Sequence, residues 1–226
     1  MMVRKEVLLA VLGLLVLFAV GCPSKSNELS YGNILYETSV PAGESIPGTE
    51  LQYVGLTDGR AQVLIKGQQA AKQKGDSLSW KGPVRDGVEL ELALRVLRYT
   101  EEALSVAGTA KVIVRDPDPV RAEIPEDAPL RFSNAPVVYT VKRGSYIPGT
   151  TLEYLERSEE GAKLGGVEGY PYFKTGDSVV WEGQIHEGVY LQLNARIGVI
   201  TDSTLALAGT ANLWIVPSGG EAGAHR

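Results

Sequence analysis

The stretch "VELELALRV", residues 88–96, alternates apolar residues with residues that are mostly charged. Valine or leucine occupies every even position, whereas Glu89, Glu91 and Arg95 occupy odd ones. Successive side chains of a β-strand point to opposite faces, so this alternation predicts a strand with one face in a core and the other toward solvent. The stretch "VYLQLNARI", residues 189–197, repeats the pattern and predicts a second strand of the same kind.

These two stretches belong to an internal duplication. Residues 31–115 align with residues 132–216 at a constant offset of 101 and without a gap, and 26 of the 85 pairs are identical. The identical blocks include Ile-Pro-Gly-Thr, Gly-Asp-Ser and Ala-Gly-Thr-Ala motifs, which begin at residues 46, 75 and 107 of the first copy. A period near 100 residues suits a domain-sized unit and not a short solenoid repeat.

Other segments of each copy also have the pattern of strands or turns. Residues 104–114 alternate like the opening stretch, and shorter strands are predicted near residues 35–40, 50–54, 61–66 and 77–80, each with a counterpart 101 residues later. Gly108 and Gly209 fall at inward positions of equivalent strands, which predicts a bulge or a close strand crossing. The Ile-Pro-Gly-Thr motif fits a type II turn.

The fold class follows from this strand density. No segment after the N-terminal apolar run shows a helical period. Six or seven strands in about 85 residues predict an all-β fold of two tandem antiparallel β-sandwich or small-barrel domains.

The segment between the copies reads as a linker. Residues 116–130 are acidic, and four prolines lie in the first 14 of them, which favours a stiff, extended chain. We therefore expect repeat 1 (residues 31–115) and repeat 2 (residues 131–217) to be separate sandwiches, followed by a disordered tail at residues 218–226. The alternative is one larger assembly in which the copies share a sheet or pack face to face.

The N-terminus has the features of an export signal. Arg4 and Lys5 precede an apolar run at residues 7–20, which is shorter than the roughly 20 residues of a membrane span. The run leads into Ala19-Val-Gly-Cys22, which resembles the signal of bacterial lipoproteins. The resemblance implies that residues 1–21 are removed, that Cys22 carries the lipid, and that residues 22–30 form a tether. The alternative is an uncleaved signal anchor with a chance cysteine.

The predicted localisation follows from this resemblance. The protein is expected to be exported and anchored by its lipid to the bacterial cell membrane or outer membrane, facing away from the cytoplasm. Cys22 is the only cysteine, so the mature chain is expected to lack disulfides.

One motif of the first repeat resembles an enzyme active-site motif. Gly75-Asp-Ser-Leu78 matches the four letters that name a family of serine esterases, in which an Asp-x-x-His block completes the triad. Neither His186 nor His225 has an aspartate three residues earlier, and the second copy reads Gly-Asp-Ser-Val. A serine without a base is a poor nucleophile. The motif is therefore interpreted as a turn leading into a strand with a core tryptophan at residue 80.

The sequence contains few other candidates for catalytic or metal-binding residues. One alternative places Asp177, Ser178, His186 and Glu187 together across a hairpin. Repeat 1 has Arg85 at the histidine position, which favours a surface histidine in a turn. No Cys/His spacing suits zinc, and the carboxylates at residues 116, 118, 156, 159 and 160 are interpreted as solvated rather than as calcium ligands. We predict no enzyme, no metal and no cofactor, and the absence of a basic cluster argues against nucleic acid.

The candidate site comes from positions where the copies differ. The segment Gln68–Gln73 of repeat 1 is replaced in repeat 2 by one that contains Tyr170, Tyr172 and Phe173, and the outward positions Glu89 and Ile113 are replaced by Tyr190 and Trp214. An aromatic surface of this kind is suited to stack on a sugar, to hold a peptide, or to pack against repeat 1 or lipid. The alternative is that these residues only fill local packing or the contact between the copies.

The sequence thus predicts a lipid-anchored cell-envelope protein that acts as a non-catalytic binding or assembly module. Its membrane contact is the N-terminal lipid, and its partner is expected to be an envelope protein or a cell-surface glycan that contacts repeat 2. The alternatives are a passive spacer or surface component, a hydrolase, or an accessory carbohydrate-binding module.

Overall fold

A computed structural model describes residues 27–218, and these residues contain fifteen β-strands and no helix. The signal segment, Cys22 and most of the predicted tail lie outside the described residues. Repeat 1 contributes β1 (Glu28–Pro41), β2 (Leu51–Thr57), β3 (Arg60–Ile65), β4 (Gln68–Lys72), β5 (Ser77–Arg85), β6 (Val88–Tyr99) and β7 (Ala103–Arg115). Repeat 2 contributes β8 (Leu130–Lys142), β9 (Ser145–Tyr146), β10 (Glu153–Ser158), β11 (Gly161–Gly165), β12 (Tyr172–Phe173), β13 (Ser178–His186), β14 (Val189–Ile200) and β15 (Thr204–Ile215).

Each repeat builds one large and one small antiparallel sheet. The large sheet has the order β1-β7-β6-β5 in repeat 1 and β8-β15-β14-β13 in repeat 2. The small sheet has the order β2-β3-β4 in repeat 1 and β9-β10-β11-β12 in repeat 2. Over residues 27–218 neither repeat closes into a barrel, so the structure confirms the all-β class and favours the sandwich over the barrel.

The stretch that opened the sequence analysis forms the middle of the large sheet. The even-numbered residues 88–96 are all buried on the inner face of β6. The equivalent residues of β14 are buried in the same way. Burial of each valine or leucine side chain stabilises the fold by about 1.5–3 kcal/mol. The predicted alternation is confirmed in both repeats.

Two glycines let neighbouring strands approach closely. A Cβ atom on Gly108 would lie 2.1 Å from the carbonyl oxygen of Ala93, and one on Gly209 would lie 2.1 Å from that of Asn194. Both contacts are with backbone atoms of the adjacent strand. Of the two predicted alternatives, the close crossing is therefore the correct one.

The first strands of the two large sheets, β1 and β8, each contain a register shift at equivalent places. Pairing shifts between Tyr31 and Ile34 in β1, and at the equivalent place in β8. Asn33 and Asn134 occupy these shifts with φ angles of +54° and +58°. Asparagine tolerates this left-handed conformation better than most residues do, which fits its retention in both copies.

The Ile-Pro-Gly-Thr motif forms the predicted turn. The amide of Thr49 donates to the carbonyl oxygen of Ile46 at 3.0 Å, and Gly48 has a φ of +69°. The equivalent bond from Thr150 to Ile147 also measures 3.0 Å. A positive φ at the third position is the mark of a type II turn, so this prediction is confirmed.

A buried tyrosine after each turn ties the small sheet to the large one. The hydroxyl of Tyr53 donates to the carbonyl oxygen of Thr100 in the β6–β7 turn. The hydroxyl of Tyr154 donates to the carbonyl oxygen of Thr201 at 2.5 Å. Since each bond joins residues 47 positions apart, it fixes the small sheet over one end of the large sheet.

Two boundaries differ from the sequence expectation. β1 begins at Glu28, so residues 28–30, predicted as tether, belong to a strand. β4 was not predicted, because its sequence Gln-Gln-Ala-Ala-Lys has neither alternation nor β-branched residues. It pairs with β3 across a two-residue turn in which Lys66 and Gly67 have φ angles of +51° and +75°, and this turn geometry favours a hairpin.

The two repeats pack against each other, contrary to the separate sandwiches that we favoured. Strands β1 and β8 lie side by side, and the rings of Tyr36 and Phe132 are 5.2 Å apart between centroids. Tyr31 lies next to Tyr139 of the other repeat. The buried apolar residues of both repeats form one connected core cluster. The physical reason is that β1 and β8 both contribute large apolar side chains, among them Tyr31, Tyr36 and Phe132, whose burial in one shared core is favourable.

A second contact zone joins the hairpins β5–β6 and β13–β14. A Cβ atom on Gly87 would lie 2.8 Å from Nε2 of His186, and one on Gly188 would lie 2.4 Å from Nη1 of Arg85. Arg85 and His186 are equivalent positions, so a long side chain from each hairpin packs against the glycine of the other hairpin. Arg85 also forms an ion pair with Glu187 and donates to the carbonyl oxygen of Val216 at 2.7 Å. We call this zone the hairpin joint.

The chain after the last strand of each repeat crosses to the other repeat. The amide of Asp118 donates to the carbonyl oxygen of Ile185 at 2.9 Å, and the amide of Ser218 donates to that of Val84 at 3.0 Å. Because Val84 and Ile185 are equivalent positions, the two crossings are reciprocal.

The linker is therefore attached to repeat 2 in part of its length. Val120 and Gln184 exchange two backbone hydrogen bonds of 2.8 and 2.9 Å at the edge of β13. A Cβ atom on Gly183 would lie 2.2 Å from the carbonyl oxygen of Val120, so glycine is required there for the approach.

Candidate functional site

The Gly-Asp-Ser motif is a turn in both repeats. The carboxylate of Asp76 accepts a hydrogen bond from the amide of Gln73 at 2.8 Å, and that of Asp177 accepts one from the amide of Lys174 at 2.7 Å. Gly75 has a φ of +91°, a conformation that glycine adopts without steric cost. The aspartate thus closes a local turn at the start of a strand, as the duplicated motif predicts.

The alternative that brings Ser178 and His186 together is not observed in the structure. These residues are the two ends of β13, and eight steps of about 3.3 Å separate them by roughly 26 Å. The cause is that residues 178–186 form one extended strand, so the hairpin bend comes after His186 and not within the segment. His186 packs instead into the hairpin joint against Gly87.

Carboxylates and histidines do not gather into a metal site in the part of the chain that the structure describes. Residues 27–218 contain no group of three His, Cys, Asp or Glu side chains placed to hold a metal ion. Glu156 lies 3.5 Å from the amine of Lys163, and Glu160 accepts a hydrogen bond from Tyr170.

Two of the predicted site residues, Tyr170 and Tyr172, lie together beside the small sheet of repeat 2. Their ring centroids are 5.4 Å apart and the ring planes are inclined by 54°. The Tyr170 side chain is held outward by a hydrogen bond of 3.1 Å from its hydroxyl to Glu160, yet the residue is 66% exposed. Lys163 places its amine 5.8 Å from the centroid of Tyr172, within the range of a cation–π contact. We call these four residues the tyrosine cluster.

A hydrogen bond within the cluster raises the pKa of its outer tyrosine. The hydrogen bond to Glu160 is the main cause that raises the pKa of Tyr170 above its ordinary value, and the negative charge of the same carboxylate acts in the same direction. The hydroxyl of Tyr170 is thus already engaged with a carboxylate, while its ring stays exposed.

A cavity of about 490 Å³ adjoins the cluster. Its lining residues are Glu159, Glu160, Tyr170, Tyr172, Lys174 and Asp177. Aromatic faces in this arrangement stack on apolar surfaces, while the carboxylates accept hydrogen bonds from hydroxyl or amide groups. The cavity thus suits a ligand that has apolar faces and polar edges.

The remaining predicted site residues lie elsewhere. Phe173 is half-buried, packs against the core and lines a different cavity of about 250 Å³. Tyr190 and Trp214 are cross-strand neighbours on β14 and β15 of the large sheet, and both are half-buried. The five residues therefore do not form one surface, and only the pair of Tyr170 and Tyr172 adjoins the acidic cavity.

Polar side chains cover the outer faces of the large sheets. The sequence analysis did not predict that they form a surface. In repeat 2, Gln192 donates to Glu182 at 2.6 Å and accepts from Asn212 at 2.8 Å. The equivalent positions of repeat 1 are Lys81, Glu91 and Lys111, and Lys81 pairs with Glu91 at 2.7 Å. The alternation predicted that these positions face outward, but their alignment across three strands depends on strand register.

No protein-family model, curated protein or solved structure matches this chain in comparisons of its sequence and structure.

Over residues 27–218 we find no helix with the length and apolar character needed to span a membrane.

Proposed function

We propose that this chain is a lipid-anchored protein of the bacterial cell envelope that acts as a non-catalytic binding or assembly module. Its partner contact is the tyrosine cluster of repeat 2, and its membrane contact is the lipid on Cys22.

The exposure of Tyr170 is the observation that supports this proposal. A tyrosine ring that is 66% exposed contributes little to folding, although its orientation is held by Glu160 and its neighbour Tyr172. Tyrosine is enriched at the energetic centres of interfaces, because its ring offers a large contact area with few rotatable bonds. An exposed ring that is held in place is therefore suited to contact with a partner.

The duplication provides a comparison within the same molecule. At the positions of Tyr170 and Tyr172, repeat 1 has Gln69 and Ala71 in β4. The fold of the small sheet thus tolerates small polar or apolar residues at these positions. The aromatic residues are not required for the β3–β4 type of pairing, which favours a role in binding over a role in packing.

The chemistry of the cavity indicates the type of partner. Glu159, Glu160 and Asp177 accept hydrogen bonds, and Tyr170 and Tyr172 supply ring faces. A glycan or an extended peptide of an envelope protein has the matching apolar faces and donor groups. The tether would keep the start of β1 close to the lipid, because five residues, from 23 to 27, span at most about 18 Å.

The proposal is tested by crosslinking on intact cells. We expect the variant Tyr170→Gln/Tyr172→Ala, which carries the residues of repeat 1, to lose crosslinked partners that the unmodified chain captures. The matched control is Tyr146→Gln, since Tyr146 is 62% exposed and belongs to β9, at the opposite edge of the same sheet. An unchanged set of partners in the double variant would refute the proposed contact surface.

The anchor is tested separately. Membrane fractionation of the Cys22→Ser chain should release the protein from the membrane, since the lipid-bearing thiol is removed. Retention of this variant as a lipid-modified species contradicts the proposed anchor.

A further inference from the structure

A row of hydrogen-bonded side chains crosses the outer face of the large sheet of repeat 2. Gln192 donates to the carboxylate of Glu182 at 2.6 Å, and its own amide oxygen accepts from Asn212 at 2.8 Å. The side-chain oxygen of Asn212 accepts in turn from the backbone N–H of Asn134 at 2.8 Å. These residues lie on β13, β14, β15 and β8, so the row spans the full width of the sheet. We call Glu182, Gln192 and Asn212 the polar ladder.

Two aromatic side chains form the next row of the same face. Tyr190 and Trp214 are paired directly across β14 and β15, two residues along from Gln192 and Asn212. Residues two apart on a strand point to the same face and are about 7 Å apart. Both aromatic residues are half-buried, so each ring keeps part of its surface open to solvent. An aromatic row thus lies beside the polar ladder.

The ladder orients its polar groups without using all of their hydrogen bonds. A side-chain amide has two N–H donors, and Gln192 and Asn212 each use one of them within residues 27–218. The carboxylate of Glu182 can accept further bonds as well. Because these side chains are already held in place, they lose little conformational freedom when a ligand binds.

Repeat 1 has a charged surface in place of this one. The counterparts of the two rows are Lys81, Glu89, Glu91, Lys111 and Ile113. Lys81 pairs with Glu89 at 2.9 Å and with Glu91 at 2.7 Å. The five positions therefore carry four charges in repeat 1 and one in repeat 2. The same sheet forms with both sets of residues, so the aromatic and amide groups are not required for folding, which favours a role in binding.

The charge of this face indicates the class of ligand. Glu182 is the one charged residue among the five positions, so the two rows offer little attraction to a polyanion or a polycation. Arg131, beside Trp214 on β8, is engaged with the backbone carbonyl oxygens of Glu126 and Ala128. A sugar unit has an apolar C–H face that packs on an aromatic ring, and its edge carries hydroxyl groups that bond to amides and carboxylates.

We propose that the outer face of the large sheet of repeat 2 binds an uncharged polysaccharide chain. The rings of Tyr190 and Trp214 pack on the C–H faces of its sugar units. The polar ladder exchanges hydrogen bonds with the hydroxyl groups at their edges. This surface is distinct from the tyrosine cluster, which lies beside the small sheet of the same repeat.

Tryptophan fluorescence gives a signal that is specific to this face. The chain has three tryptophans, and Trp80 and Trp181 are 4% and 0% exposed. The indole N–H of Trp80 has no hydrogen-bond partner among the described residues, whereas that of Trp181 donates to the hydroxyl of Thr151 at 2.9 Å. Acrylamide dissolved in water therefore quenches mainly the fluorescence of Trp214, so the quenching constant reports on the open surface of this ring.

The test is a titration of the full-length chain in a polyoxyethylene detergent, which has no sugar headgroup. The uncharged probes are cellohexaose, N-acetylated chitohexaose and dextran, and the charged controls are poly-L-glutamate and poly-L-lysine. We expect at least one uncharged probe to lower the quenching constant roughly twofold, because packing on a sugar removes part of the Trp214 ring from water. The charged controls should leave the constant unchanged.

The matched variants place the same new charges at two sites. Gln192→Glu/Asn212→Lys carries the residues of repeat 1 and should bind the probe roughly tenfold more weakly, because two hydrogen-bonding groups of the ladder are replaced. Gln62→Glu/Gln69→Lys makes the same type of change in the small sheet of repeat 1, where the two amides are also bonded to each other across strands. This control should bind as the unmodified chain does. Circular dichroism of both variants checks that they fold.

Three outcomes overturn the proposal. They are a quenching constant that no uncharged probe lowers, a constant that only a charged polymer lowers, and equal weakening in the two matched variants. The variant Tyr170→Gln/Tyr172→Ala should bind the probe with unchanged affinity even if it loses crosslinked partners, so the two surfaces are tested independently.

Discussion

At the residue scale, the strictest requirement in the fold concerns Gly209. Its missing side chain lets β15 pass against β14, and a Cβ atom there would meet the carbonyl oxygen of Asn194 at 2.1 Å and the Cα atom of Ala195 at 2.5 Å. Backbone atoms in the middle of a sheet cannot move aside without loss of their own hydrogen bonds.

We therefore predict that Gly209→Ala lowers the free energy of unfolding by about 3 kcal/mol, at the upper end of the usual cost of overpacking. Urea unfolding followed by circular dichroism measures the change. The control is Gly198→Ala in β14, where the nearest atom to a new Cβ is 3.5 Å away, and it should change the free energy of unfolding by less than about 0.5 kcal/mol. Equal midpoints for the two variants would contradict the close crossing.

The sequence predicted either a bulge or a close crossing at this glycine. A glycine at an inward position of an alternating strand leaves a gap in the apolar face, and the same gap recurs at Gly108. The unpaired indole of Trp80 could not be predicted, because its acceptor would come from residue 50, thirty positions away. Only the folded chain shows that Thr151 fills this role in repeat 2 and Glu50 does not fill it in repeat 1.

At the scale of elements, the linker behaves as a short added strand. Val120 pairs with Gln184 at the edge of β13, and Gly183 allows the approach. Four prolines predicted an extended conformation, which an edge strand also requires, but proline spacing carries no information on the partner strand.

We predict that Gly183→Ala detaches the linker from β13, because a Cβ atom would lie 2.2 Å from the carbonyl oxygen of Val120. Amide hydrogen exchange is the measurement. In the unmodified chain the amides of Val120 and Gln184 should be protected, since each donates a backbone hydrogen bond. In the variant both amides should exchange at least tenfold faster, which corresponds to about 1.4 kcal/mol of lost protection. Unchanged protection at Val120 would show that the linker is held by other contacts.

The large strands of each repeat were predictable and the short ones less so. β6 and β14 alternate strictly, so pattern alone identifies them. β4 has no alternation of polar and apolar residues, and it exists because the Lys66-Gly67 turn returns the chain along β3. In the same way, Tyr170 and Tyr172 were identified by comparison of the copies, while their separation from Tyr190 and Trp214 depends on which sheet each strand joins.

At the scale of the whole molecule, tyrosines line the contact between the repeats. Burial raises the pKa of Tyr139 to about 12 and raises that of Tyr31 well above its ordinary value. Both groups are thus neutral in the folded chain at pH values where the unfolded chain, with a tyrosine pKa of about 10, has begun to ionise.

The direction of the pH effect follows. Because the pKa values are raised in the folded state, the two tyrosines make their full contribution to the free energy of unfolding below about pH 10. This contribution is lost as the pH rises from about 10 toward 12. For Tyr139 alone the loss approaches about 1.4 kcal/mol per pH unit over this window. We predict that thermal unfolding midpoints fall steeply there.

The variant Tyr31→Phe/Tyr139→Phe should flatten this decline, because neither ring can ionise, and Phe132 already occupies the position equivalent to Tyr31. Tyr146→Phe, at an exposed position, serves as the control and should follow the unmodified chain. Identical alkaline profiles for all three chains would show that ionisation at the contact does not limit stability.

The hairpin joint has a consequence for the exchange of repeats. In a pair of identical repeats each contact across the joint would occur twice, but the ion pair of Arg85 with Glu187 occurs once and His186 takes the equivalent place on the other side. We therefore expect a substitution at residue 186 to act through its contact with residue 87 of the other repeat. Exchange of one repeat without the other would separate Arg85 from Glu187 and His186 from Gly87, so we expect such a chimera to lose both contacts.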